Sequence, residues 1–268
     1  MFAHLAVAAV VVSSSLQPLP SAPSVMAALG DSISAGFNAC GWYVACTSRS
    51  WAVGDDREVN SHFVRLGMRE GNLTFAVPGA TSADLGGQVR QAVDAGAGYV
   101  TVLIGAQDAC VSSERKMTPV SVYRDRVARA LWALKGGAPG VRVFVASIPD
   151  LRRLWQAGKD NVVARTFWAV GRICQAMLAE PTSTARVDVE RRARVRARVV
   201  AYNEVLAELC ARFGPNCRFD GGAVFAYPYT LKHISKWDFF HPNAAGQKAL
   251  AEVTYKRGFD WLSGIGAA

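Results

Sequence analysis

The chain has 268 residues, of which 51% are hydrophobic, 19% charged and 10% aromatic; this excludes a disordered polymer and supplies material for a sizeable core. Thirty Lys and Arg against 21 Asp and Glu leave a net charge of +9, which favours polyanionic partners without requiring one. No stretch reaches the roughly 18 consecutive apolar residues of a membrane span, so a polytopic membrane protein is excluded.

The first twelve residues form an apolar run of signal-peptide core length, and a Ser/Pro-rich stretch follows from Ser13 to Ser24. No Lys or Arg precedes the run, so the positive flank of an export leader is missing apart from the amino terminus and His4. A misplaced start or a packed N-terminal helix is the plainer alternative. Residues 1–23 are expected to be a leader, and residues 24–268 one domain.

Val25 to Leu29 reads as a buried strand running into Gly30. Phe63 to Arg69 has helical spacing, and Leu73 to Val77 reads as a second strand closed by Pro78 and Gly79. Ser82 is a candidate cap for a helix to about Ala95. Tyr99 to Ile104 is a β-branched strand, Val120 to Leu134 an amphipathic helix, and Val141 to Ala146 a fourth strand. Residues 161–179 and 188–212 read as helical, and Ala244 to Tyr255 as a last helix. This alternation predicts βαβ units and a mostly parallel sheet covered on both faces, in one α/β domain. Ligands bind such sheets beyond the carboxyl ends of the strands.

Six cysteines, Cys40, Cys46, Cys110, Cys174, Cys210 and Cys217, include no C-x-x-C pair, which argues against a zinc ribbon or a thioredoxin-type motif. Three disulfides in an exported protein fit the count, although six cysteines allow fifteen pairings and the sequence alone selects none. The short loops Cys40–Cys46 and Cys210–Cys217 are the expected pairs, leaving Cys110–Cys174 as the long one.

Ser32 follows the first strand on a glycine turn, a place that can present a hydroxyl and a backbone N–H to one pocket. The bland reading is a turn with a helix cap. A serine nucleophile needs a base, and a histidine base needs an acceptor on its far nitrogen. In Asp238-Phe-Phe-His241-Pro242, an acidic residue three before the histidine can be that acceptor; the bland reading is a surface turn leading to the last helix. His4 lies in the leader, His62 starts a helix, and His233 has no carboxylate within four residues.

Together these stretches resemble the SGNH, or GDSL, hydrolase superfamily. Met26 to Gly36 is similar to its first block, with Ser32 at the nucleophile position. Ala76 to Ser82 resembles the second, placing Gly79 as an oxyanion-hole donor, and Val102 to Asp108 resembles the third. Asp238-x-x-His241 resembles the last. The resemblance implies a three-layer flavodoxin-like α/β/α sandwich and ester hydrolysis through an acyl-serine, with Ser32, Asp238 and His241 catalytic and no metal or cofactor. Gly30 to Asn38, Ser50 to Gly54 and Val102 to Cys110 look like the phospholipase B-like, secreted lipase-esterase branch. The third block departs from the family, carrying Gln107 where Asn supplies the third oxyanion donor beside Ser32 and Gly79. Its amide sits one methylene further out, which predicts weakened rather than abolished turnover. Asp31 and Asp108 are read as hydrogen-bonding groups of the turns.

Six arginines between Arg186 and Arg198 could face an anionic membrane surface, or form a solvated helix face. Aromatic interleaving is absent there, so nucleic acid is not an expected partner. Trp42, Tyr43 and Trp51 are candidates for an acyl pocket or for the core. The expectation is a secreted, monomeric esterase or lipase acting on small-molecule or lipid esters. A carbohydrate O-deacetylase, or an SGNH-fold binding protein impaired at Gln107, are the alternatives.

Overall fold

Five short strands lie side by side in the order β2-β1-β3-β4-β5, and every pairing is parallel. They are β1 (Met26–Gly30), β2 (Asn72–Thr74), β3 (Tyr99–Leu103), β4 (Arg142–Val145) and β5 (Cys217–Phe219). The computed structural model describes residues 23–41 and 43–259, so most of the leader and Trp42 lie outside the described residues. All five residues of β1 and of β3 are buried, as expected of parallel strands covered by helices on both faces. β1 pairs with β3 from Met26↔Tyr99 to Gly30↔Leu103 and with β2 from Met26↔Asn72. The strand order therefore reverses at β1, and a crevice opens beyond the carboxyl ends of β1 and β3. This is the α/β sandwich implied by the sequence.

The helices Leu85–Asp94, Val120–Gly137 and Arg186–Phe213 pack in succession. Period two places Tyr99 and, through the Thr101↔Phe144 pairing, Phe144 on one face of the sheet. There the buried His62 makes ring contacts with Tyr99, Phe144, Trp51 and Tyr255. Its Nδ1 bonds Tyr99 Oη at 2.9 Å and its Nε2 bonds Thr254 Oγ1 at 2.8 Å, which joins β3 to the last helix, Ala244–Tyr255. Burial, with the Arg65 charge, pushes the pKa of His62 down to about 3, so this histidine is a neutral core group. Trp51 is fully buried and belongs to the core.

Several expectations are corrected. The helix expected from Phe63 to Arg69 is the single turn His62–Arg65, because Gly67 at φ +66° redirects the chain. The second strand ends at Thr74, where the N–H groups of Phe75 and Ala76 converge on the Ala28 carbonyl and leave the ladder. Ser82 caps no helix: Asp84 stands before Leu85, and Ser82 bonds Asp108 instead. The segment 161–179 is two helices, Val162–Val170 and Gln175–Leu178, separated by left-handed residues at Arg172 and Cys174. The helix Leu151–Gly158 and strand β5 went unread; three residues of strand carry too little pattern to be seen.

The three disulfides are Cys40–Cys46, Cys110–Cys174 and Cys210–Cys217, with Cα separations of 5.8, 4.5 and 5.3 Å. The arginine run is neither an open basic face nor merely solvated. Arg186, Arg191, Arg194 and Arg196 pair with Glu190, Asp188, Glu114 and Asp150. Arg192 donates to the carbonyls of Glu180 and Ser183, and Arg198 to that of Thr118. Arg186 is exposed and pairs within the helix, whereas the other five fasten the longest helix to the loops beside it. Among the described residues no helix is long and apolar enough to cross a membrane.

Candidate active site

Gly30 ends β1 at φ +136°, where a Cβ would lie 2.0 Å from the Leu103 carbonyl oxygen, so only glycine lets β1 turn this close to β3. Gln88, buried on the Leu85–Asp94 helix, satisfies both backbone groups of Gly30: its Oε1 accepts at 2.7 Å and its Nε2 donates at 2.8 Å. The chain then coils, with the Phe37 N–H bonding the Ser32 carbonyl at 2.9 Å. Gln247 of the last helix donates to the Ile33 carbonyl at 2.9 Å. Ser32 is thereby held, half-buried, at the mouth of the crevice.

The loop before the last helix is closed by the Ser235 N–H on the His241 carbonyl at 2.8 Å and by an Ile234–Pro242 bridge. Phe239 takes a left-handed conformation, φ +53°, and its carbonyl accepts the Trp168 indole N–H at 2.9 Å. This loop carries Asp238 and His241 to Ser32. His241 Nε2 lies 2.9 Å from Ser32 Oγ, and His241 Nδ1 lies 2.5 Å from Asp238 Oδ2. A carboxylate only accepts, so the proton sits on Nδ1 and Nε2 is left to accept from the serine. Asp238 Oδ1 takes the N–H groups of Phe240 and His241 at 2.9 and 3.1 Å, and its Oδ2 also takes the Asn38 amide at 2.6 Å. Burial works to raise the pKa of Asp238, but the hydrogen bond and charge of His241 and the two backbone donors outweigh it, and the group stays below the usual carboxylate range. Phe37 and Phe240 set their rings edge-on around the imidazole. A hydroxyl, an imidazole and a carboxylate in series can raise the nucleophilicity of the hydroxyl.

The chain matches the model of the GDSL-like lipase/acylhydrolase family over residues 28–249. It belongs to that family. No curated protein matches it in sequence. Among solved structures it is similar to phospholipase A1 from Streptomyces albidoflavus, at 18% identity, TM-score 0.54 and coverage of 88% of this chain and 100% of that one. It is also similar to an extracellular lipase from Streptomyces rimosus, at 19% identity, TM-score 0.51 and coverage of 87% and 98%. An acetyl xylan esterase from Geobacillus stearothermophilus follows at 15% identity, TM-score 0.53 and coverage of 87% and 93%.

As a GDSL-like family member, the chain places all the expected site residues around one opening. Ser32, Gly79, Gln107, Asp238 and His241 all line a cleft of about 620 Å³. Among the described residues, the N–H groups of Ser32 and Gly79 and the Gln107 side-chain amide make no hydrogen bond to protein, so three donors stand free there. The Gly79 loop is tied to the Gln107 helix by Asp108, which accepts from Ser82 N–H at 2.8 Å and Ser82 Oγ at 2.6 Å. Asp31 accepts from the Ile33 N–H at 2.9 Å, and its other oxygen has no partner. Burial pushes its pKa up to about 7 against the Ile33 bond, and the nearby Asp108 charge adds to the rise.

Behind Ser32 and His241 lies a second, apolar pocket of about 50 Å³, walled by Ile33, Ala106, Leu151, Leu154, Tyr229 and Leu250. Tyr43 stands on the cleft rim, donating to the Trp237 carbonyl at 3.0 Å. Sequence reasoning missed the roles of Asn38, Gln88, Trp168 and Gln247. Asn38 lay inside a quoted block, but its contact crosses 200 residues, and nothing local announces such a partner.

Proposed function

We propose that the protein is a serine-dependent carboxylic ester hydrolase, and the unbroken Asp238–His241–Ser32 hydrogen-bond series carries this reading. Ser32 Oγ attacks the ester carbonyl as His241 Nε2 takes its proton, and Asp238 orients the imidazole and stabilises its charged form. The N–H groups of Ser32 and Gly79 and the Gln107 amide receive the oxyanion. His241 returns the proton to the departing alcohol, and water repeats the cycle to release the acid. No metal or cofactor enters these steps.

The apolar pocket takes the acyl group. Its volume of about 50 Å³ admits a few heavy atoms, since one water-sized site needs about 10–15 Å³. Short acyl esters are the substrates that fit. An acetyl group fits as well, so O-deacetylation of a carbohydrate is the second reading. All six cysteines are paired, which supports an exported protein whose domain begins after the leader, near residue 24.

Hydrolysis of p-nitrophenyl acetate, butyrate and palmitate by wild type and Ser32→Ala tests this. Acetate and butyrate are expected to turn over well and palmitate poorly, with turnover falling at least about a thousandfold in Ser32→Ala. Unchanged hydrolysis in the variant, or no labelling of the folded wild type by a fluorophosphonate, overturns the reading and returns a binding protein on this fold. Greater turnover of an acetylated oligosaccharide than of simple esters selects the deacetylase.

A further inference from the structure

The apolar pocket behind Ser32 has a neighbour. An outer groove of about 520 Å³ is lined by Arg153, Gln156, Ala157 and Tyr229, and the pocket by Leu151, Leu154 and the same Tyr229. Among the described residues, Tyr229 is the one common to both linings. The helix Leu151–Gly158 stands between the two cavities. At about 100° per residue, Leu151 and Leu154 share its buried face, whereas Arg153, Gln156 and Ala157 occupy another flank.

The loop that carries Tyr229 completes this partition. Ile234, nine-tenths buried, lines the pocket, while Leu231 and Lys232 line the groove. Tyr229 itself is 8% exposed, so its ring belongs to the wall rather than to either surface. The ring packs against those of Tyr227 and His233, with centroids 4.6 and 5.9 Å apart. Its hydroxyl is buried and has no hydrogen-bond partner among the described residues, so Tyr229 acts here by its bulk.

A pocket of about 50 Å³ stops an acyl chain after a few carbons, and at Tyr229 one side chain divides it from the larger space. Ala157 and Leu231 offer apolar surface on the far side. We infer that Tyr229 is the specificity-determining residue for acyl length, a partition that keeps the pocket short by closing it off from the outer groove. Cutting the ring back joins the two cavities and admits a medium-length acyl chain. This rests on the esterase reading for the placement of the acyl group.

The test compares kcat/KM for p-nitrophenyl butyrate and octanoate in wild type, Tyr229→Phe, Tyr229→Leu and Tyr229→Ala. Tyr229→Ala should raise the octanoate-to-butyrate ratio at least about tenfold, the effect of burying two further methylene groups. Tyr229→Leu should raise it less, and Tyr229→Phe, which keeps the bulk of the ring, should keep the wild-type ratio. A loss of stability alone lowers both rates together and leaves the ratio unmoved. An unchanged ratio in Tyr229→Ala, or a rise as large in Tyr229→Phe, overturns the inference. If the alanine variant does not fold, Tyr229→Leu decides alone, and an unchanged ratio there overturns it. Calorimetric titration of octanoate and butyrate into Ser32→Ala, with and without Tyr229→Leu, reads the same partition without turnover. Octanoate binding that appears or tightens only with the second substitution supports the inference. Equal binding in both proteins, or none in either, overturns it. Failure of wild type to hydrolyse either ester sinks the esterase reading, while the titration still judges Tyr229.

Discussion

Asp238 receives four hydrogen bonds while nearly enclosed by protein, from His241 Nδ1, Asn38 and two backbone N–H groups. The Asn38 amide and the imidazole share one oxygen, so Asn38 fixes the carboxylate orientation that the imidazole reads. Asn38 is left-handed at φ +61°, which makes glycine the substitution that removes the donor without straining the backbone. Asn38→Gly should lower kcat for p-nitrophenyl acetate about ten- to a hundredfold with KM little changed, the loss of one hydrogen bond to a charged group. A change in KM alone would show that Asn38 serves substrate binding instead. Local sequence pointed to Ser32, Asp238 and His241 because each stands in a short block with a chemical logic of its own. Asn38 has no such signature, since its meaning depends on a residue 200 positions away.

At the scale of elements, the Cys110–Cys174 bridge joins the segment after β3 to the turn after the Val162–Val170 helix, across 64 residues. Closing a loop of that length restricts the unfolded chain, and removing the bridge costs about 2–4 kcal/mol. Replacing both cysteines with serine should lower the unfolding free energy by that amount in urea. It should also release the left-handed turn at Arg172, so proteolysis is expected to cut first near residues 172–174. An unchanged urea midpoint would show that packing alone holds this turn. The buried strands β1, β3 and β4 and the longer helices were legible from pattern, whereas the break within 161–179 was not. Gly171 caps the end of the first helix there, and the Cys110–Cys174 bridge ties down the turn that follows.

At the scale of the whole molecule, two buried titratable groups pull stability in opposite directions with pH. Asp31, raised from 3.8 to about 7, binds a proton in the folded state that the unfolded chain has lost, so stability falls as pH rises across that window. His62, lowered from 6.5 to about 3, is proton-free in the folded state while the unfolded chain is charged, so stability rises with pH across its window. Asp31→Asn keeps an acceptor for the Ile33 N–H and removes the ionisable group. Its melting temperature should exceed that of wild type at pH 8, by about 2–4 °C for each kcal/mol gained, and match it at pH 4. An equal difference at both pH values would show that the effect does not come from ionisation. The net charge of +9 was visible from composition, yet its meaning was not. The conspicuous arginines of residues 186–198 are held by carboxylates and carbonyls, whereas Lys116 and Arg172, which no charge run marks, line the cleft with no partner among the described residues. By itself the sequence determined the α/β alternation, the ordered blocks and the three residues that meet in the Asp238–His241–Ser32 hydrogen-bond series, because turns, caps and strand ends are written in neighbouring residues. Only the tertiary structure decided which cations are free, which aspartate is protonated near neutrality and which amide steadies Asp238. Charge pairing and desolvation act through space, between residues the chain keeps far apart in sequence.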